Sequence, residues 1–169
     1  MNNLRAVAEF EAECQTLFTE LAHLQKTIRE KVAVQADGKT LKGNELVGWL
    51  GEIYGKLLLN GQLVDDQEEH DLVAGDGRRV SVKTRKGWGS GWKQSSAIPK
   101  IEGSDCPTHL LFAHLNDNYS IDRIWLFDWV ELRNADRFKK HIVRGSQRSF
   151  IFSVNENIDK AQLVYAKDA

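Results

Sequence analysis

Residues 72–84 constrain the fold of this chain more tightly than any other segment. Two short runs of strand formers, 72–74 and 79–84, flank Gly75-Asp76-Gly77, and glycine is the residue that adopts the positive φ of a tight hairpin turn. A three-residue loop with Gly77 left-handed in a G1 bulge sets Ala74 against Arg78 and Asp71 against Ser81. Asp71, Ser81 and Lys83 then share one face, and Leu72, Ala74, Val80 and Val82 share the other. A loop of even length would instead place the Asp71 carboxylate among the valines, which costs several kcal/mol unless the charge is paired. The odd loop is therefore expected. It holds an acid beside a lysine on neighbouring strands, an arrangement suited to a divalent metal and a phosphodiester.

A chain of 169 residues is one ordinary domain, long enough to bury a core without disulfides or structural metals. Cys14 and Cys106 are too few and too far apart for a disulfide framework or a zinc cluster, so reduced thiols and a cytoplasmic setting are expected. The first residues, acidic and amphipathic, lack the form of a signal peptide, and no run approaches the length of a membrane span. Net charge is −1, but the charges are segregated. Residues 65–76 hold six acids and no Lys or Arg, whereas 78–100 hold seven Lys or Arg and no acid; 133–148 hold six basic residues against Asp136 alone. Such separation suits an acidic metal pocket beside a surface that neutralises phosphates.

Val7, Phe10, Cys14, Leu17, Leu21, Leu24 and Ile28 alternate spacings of three and four, predicting a long helix to about Val32. Residues 1–33 are read as a helical segment for packing on the same domain or for dimerisation. A polar connector over 33–42 with an Asp37-Gly38 turn joins it to a core over 42–169. A second helix is predicted from about Asn44 to Leu59, with Leu46, Trp49, Leu50, Ile53, Leu57 and Leu58 on its apolar face. Gly48, Gly51 and Gly55 along it each cost about 1 kcal/mol relative to Ala, which points to close backbone packing.

The 68–85 string resembles the PD-(D/E)XK nuclease superfamily, to which many restriction endonucleases belong. Its active-site hairpin carries an Asp and, on the following strand, an acid-x-Lys pair. Asp71 matches the first acid and Lys83 the lysine; Ser81 stands where the second acid is usual, and a neutral hydroxyl is a poor substitute as a metal ligand. Residues 43–59 resemble the superfamily helix that supplies a further Glu, with Glu52 the better match and Glu45 the second. The likeness spans roughly 43–132 and is closest to small restriction-endonuclease-like proteins. It implies an α/β fold with a mixed central sheet flanked by helices, and a Mg²⁺-dependent DNA endonuclease, of type II restriction-like character, in which Mn²⁺ can substitute. The implied metal ligands are Asp71 and Glu52 with Glu68 as a compensating acid. Lys83 would orient or activate water, and Ser81 would donate to a metal-bound water. A homodimer would suit cleavage of both strands of double-stranded DNA.

Residues 86–100 alternate Trp88 and Trp92 with glycines and lysines, the composition of a DNA-facing loop. Arg85, Lys86 and Lys93 attract phosphate, Trp88 and Trp92 can stack on bases, and Gln94 can reach a base edge or phosphate. Residues 108–115 and 119–127, joined by Asn116-Asp117-Asn118, read as a second hairpin at the sheet's centre. Asp128 is expected to cap a short helix through Leu132, residues 135–142 to form another, and 149–154 a final strand. The histidines show no metal spacing such as HExxH, and His70 is expected to be structural or supporting. The rival reading is a nuclease-like module that has lost its metal and only binds DNA or a partner protein; Ser81 is its best support.

Overall fold

The computed structural model describes residues 3–33, 45–64, 68–87 and 92–167. In chain order the elements are α1 (Leu4–Ala33), α2 (Glu45–Leu58), β1 (Gln62–Leu63), β2 (Leu72–Val73), β3 (Arg79–Lys86), β4 (Ser95–Ile98), β5 (His109–Leu115), β6 (Ile121–Asp128), α3 (Trp129–Asn134), β7 (Lys139–Val143), β8 (Ser146–Ser153), a 3-10 turn (Asp159–Gln162) and β9 (Leu163–Ala166). Six strands form a mixed sheet in the order β1-β2-β3-β5-β6-β9, in which only the β3–β5 contact is parallel. A second sheet has the order β4-β8-β7.

The β2–β3 hairpin has the expected turn: the Gly77 amide donates to Ala74 O, the Ala74 amide to Arg78 O, Gly77 lies at φ +87, and Leu72 pairs with Val80. Leu72, Ala74, Val80 and Val82 are buried together under the helices. β5 is buried along nearly its whole length, as a strand covered on both faces must be, and its alternating side chains feed two cores. Leu111, Ala113 and Leu115 point to the helix side; Leu110 and Phe112 point to the other. The β5–β6 hairpin and the Asp128 cap of α3 follow the expectation, the Asp128 carboxylate accepting from the Glu131 amide.

Four expectations are corrected. The α1 stripe is shifted by one position onto Val7, Glu11, Phe18 and Gln25, leaving Leu17 and Leu24 exposed, because Glu11, Phe18 and Gln25 are the residues that find partners in Lys167 and Tyr119. Phe10, Phe18, Tyr54 and Tyr119 pack edge-on along that contact, and buried Glu11 pairs with Lys167. Trp49, assigned to the apolar face of α2, is exposed, while Val47 and Tyr54 take the buried positions. Residues 135–142 are not a helix: Asp136 takes a positive φ directly after α3, Phe138 plugs the aromatic core, and the chain continues as β7. The long helices α1 and α2 cover one face of the sheet, and the other carries the second sheet, which was not expected, together with the short α3. Strands β1, β4 and β9 were not anticipated. The 33–42 connector falls largely outside the described residues. Among the described residues no helix is long and apolar enough to cross a membrane.

A candidate phosphate cleft beside the Asp71–Lys83 pair

The site begins where β2 stops. Val82 of β3 lies beyond the two-residue β2, and its amide is satisfied by a side chain, donating to Asp71 Oδ2 at 2.5 Å. Ser81 Oγ donates to the same oxygen at 3.2 Å, and Lys83 Nζ stands 3.9 Å from it. The geometry thus brings Asp71, Ser81 and Lys83 together. It also gives Asp71 a structural task, because removing the carboxylate leaves a β3 amide without its acceptor, at a cost of about 1–3 kcal/mol if it stays buried. Ser81 is buried and serves the carboxylate directly.

Lys83 faces a second neighbourhood. It lines an open cleft of about 670 Å³ whose walls include Gly48 and Glu52 of α2, Thr84, Arg85 and Lys86 of β3, Lys93, Ser96 of β4, and Asp117. The cleft exists because α2 lies almost on the sheet: a Cβ added at Gly51 would come 1.7 Å from Thr84 Oγ1, and one at Gly55 would come 3.0 Å from Leu72 Cδ2. At Gly48 an added Cβ meets nothing within 4 Å, so that end of α2 stays open. Thr84 Oγ1 is buried with no hydrogen-bond partner among the described residues.

The charge of the cleft is dominated by cations. Arg85 is half-buried and bonded to neutral acceptors: Nε to Ser95 O at 2.8 Å, and its terminal nitrogens to Thr84 O at 3.2 Å and Ser96 Oγ at 3.1 Å. Burial lowers its pKa, yet a guanidinium keeps its charge. Among the described residues no carboxylate forms an ion pair with it. Lys86 donates to Asp117 O at 3.0 Å and lies 4.5 Å from the Tyr119 ring centre, and Lys93 is exposed at the rim.

The other expected site residues divide. Glu52 reaches the cleft. Glu68 does not: it is exposed, with a carboxylate oxygen 3.9 Å from Nδ1 of the buried His70. Trp92, expected to face DNA, is instead a core residue, 5% exposed, stacked on His114 at 4.0 Å and bonded through Nε1 to Glu156. Its ring fills the aromatic core where a residue of a DNA-facing loop among glycines and lysines is expected from the sequence. Gln94 turns the same way, toward Glu156 at 3.5 Å. Trp88 and the Glu45 side chain lie outside the described residues. Sequence reasoning missed Gly48, Thr84 and Asp117 as cleft walls. The glycine spacing along α2 was the available signal for the first two.

Among the described residues no group of three or more His, Cys, Asp or Glu is placed to hold a metal. A carboxylate cage therefore does not fit. Mg²⁺ is usually held by one or two carboxylates, with water and substrate phosphate completing the shell, and Asp71 beside Lys83 and Glu52 in the cleft wall are the acids that such a reading would use. Asp71 Oδ1 accepts no hydrogen bond from the described residues, and Glu52 lines the cleft that Lys83 shares. No protein-family model and no curated protein matches this chain.

Proposed function

We propose that the chain is a restriction-endonuclease-like enzyme that hydrolyses DNA phosphodiesters in this cleft. The observation that carries the reading is the double membership of Lys83, which touches the Asp71 carboxylate and lines the cleft shared by Glu52, Arg85 and Lys93. The backbone phosphate next to the scissile one sits against Arg85, whose fixed guanidinium needs no reorganisation to receive it. Lys93 at the rim adds attraction that weakens with salt. Lys83 donates to the attacking water or to a non-bridging oxygen and offsets the charge that grows on the pentacovalent phosphate. Ser81 holds the Asp71 carboxylate in place and is a positioning residue. Asp71 and Glu52 are the groups that would hold Mg²⁺ or Mn²⁺, and what such an ion supplies is polarisation of the phosphate and a lower pKa for bound water. A homodimer is part of the same proposal, with Leu17 and Leu24 among the exposed leucines of α1 available to it.

A second reading, a DNA-binding module without hydrolysis, is favoured by one feature: Asp71 Oδ2 is already engaged by Ser81 and Val82, and no acid stands two residues before Lys83. Supercoiled plasmid incubated with purified protein and Mg²⁺ or Mn²⁺ separates the two. Nicking that disappears in Lys83→Ala supports the enzyme; metal-independent retention of DNA without nicking supports the module.

A further inference from the structure

The β7–β8 hairpin is strongly basic, and the cleft does not use it. From Lys139 to Arg148 it contains no acid. Lys139 pairs with Asp136, and His141 bonds Ser149 Oγ at 3.0 Å. Lys140, Arg144 and Arg148 are exposed, and no carboxylate among the described residues pairs with them. The root of the hairpin is fixed to the core: Arg137 makes paired bonds of 2.8 and 2.9 Å to Asp159, which is 2% exposed, and lies 5.3 Å from the Phe152 ring centre. The tip is a two-residue turn, with Arg144 at φ 51 and Gly145 at φ 82 between paired Val143 and Ser146. Such a turn favours Asn or Gly at both positions, so an arginine there is held at a steric cost and projects from the tip.

The hairpin is built into the same sheet as the cleft wall. β4 supplies Ser96 to the cleft and the Ser95 carbonyl to Arg85, and Ser95 pairs with Ser153 of β8. From Ser153 to Ser146 the strand covers roughly 23 Å at about 3.3 Å per residue. That length corresponds to about seven base-pair steps of B-DNA at ~3.4 Å each.

We propose that this hairpin is a second nucleic-acid contact, in which Lys140, Arg144 and Arg148 grip backbone phosphates of a duplex whose other end lies in the cleft. The inference rests on the cleft being a nucleic-acid site, though not on its cutting. A rigid basic arm continuous with a basic cleft fits one long polyanion better than an anionic membrane, which would need a flat face.

The test uses the full chain carrying Lys140→Ala, Arg144→Gly and Arg148→Ala together. All three positions are exposed, and glycine relieves the positive φ at the tip. Binding to fluorescent duplexes of about 24 and about 8 base pairs is measured in EDTA over a range of salt. On the long duplex the variant should bind about 10–100-fold more weakly than the parent near physiological salt. Its slope of log affinity against log salt should be shallower by about three, one for each lost phosphate contact. On the short duplex, which spans about seven base-pair steps and covers the arm only when its end is seated in the cleft, the loss should be no larger than on the long one. Equal affinities and slopes on the long duplex overturn the proposal. So does hairpin-dependent binding to phosphatidylserine vesicles with none to duplex. Cleavage assayed separately keeps the two readings apart: cutting without a hairpin effect defeats this inference alone, and a hairpin effect without cutting defeats the hydrolase alone.

Discussion

The two faces of the central sheet are packed by different means, and the contrast explains where a cleft can exist. Beneath the second sheet and α3, large rings do the filling: Trp92, Phe112, Trp125, Phe127, Trp129, Phe138 and Phe152 interlock, with Trp125 and Phe152 essentially inaccessible. Beneath α1 and α2 the core is mostly aliphatic, and α2 reaches the sheet through Gly51 and Gly55. Rings close a face completely. A helix seated on glycines comes close at some positions and leaves a gap beside others, and the cleft opens there along β3, with Gly48 and Glu52 on the helix side and Lys83, Arg85 and Ser96 on the side of the second sheet. The cleft therefore lies at an edge between the two faces, with the aromatic side as its foundation.

Breaking the foundation should have the largest effect on stability. Phe152→Ala is expected to cost about 3–5 kcal/mol in denaturant unfolding while leaving the activity of the folded fraction intact. A loss of activity larger than the loss of folded protein would mean that the two faces are coupled. Next comes the helix contact: Gly51→Ala drives a methyl into Thr84 and should destabilise by about 1–3 kcal/mol. Combining it with Thr84→Ala should recover most of that, and absence of rescue would place the strain elsewhere. At the open end the sign reverses. Gly48→Ala should raise stability by up to about 1 kcal/mol through helix propensity. It should also weaken nucleic-acid binding, since the added group projects into the cleft.

The smallest effect is on pH. His109 sits at the start of β5 on the helix-facing side, and burial, with the charge of Arg78, pushes its pKa below the ordinary 6.5. The folded protein then favours neutral imidazole, whereas the unfolded chain takes up a proton as pH falls through about 6.5, so stability should decline on that side. His109→Asn should flatten the decline, and an unchanged pH profile would assign the acid sensitivity to other groups.

The hairpin was legible because its turn chemistry and alternation agree: Gly77 fixes the loop, and a one-residue slip would have buried an acid. The glycines of α2 announced a close approach but not which one leaves a space, since Gly48 and Gly51 differ only in what β3 sets opposite them. Residues 86–100 misled because tryptophan among glycines reads as exposed. The long-range partners of Trp92, which are His114, Trp125 and Glu156, cannot be read from local spacing. β7 was mistaken for a helix because Arg, Lys and Ala are good helix formers, whereas the pairing of Lys139 with Ile151 and Lys140 with Phe150 decides the matter through the tertiary fold. Glu68 was expected at the site on chain distance alone, and the bend before β2 turns it toward His70.

In the proposed enzyme Lys83 joins the Asp71 carboxylate to the cleft and acts there on the reacting phosphate. Single-turnover cleavage of a labelled duplex at saturating protein with Mn²⁺, compared between the parent chain and Lys83→Ala, tests it most directly. The rate is expected to be at least about 100-fold lower in the variant, with duplex affinity within about threefold of the parent. Equal cleavage rates, or a parent chain that binds duplex yet never cuts it, would contradict it.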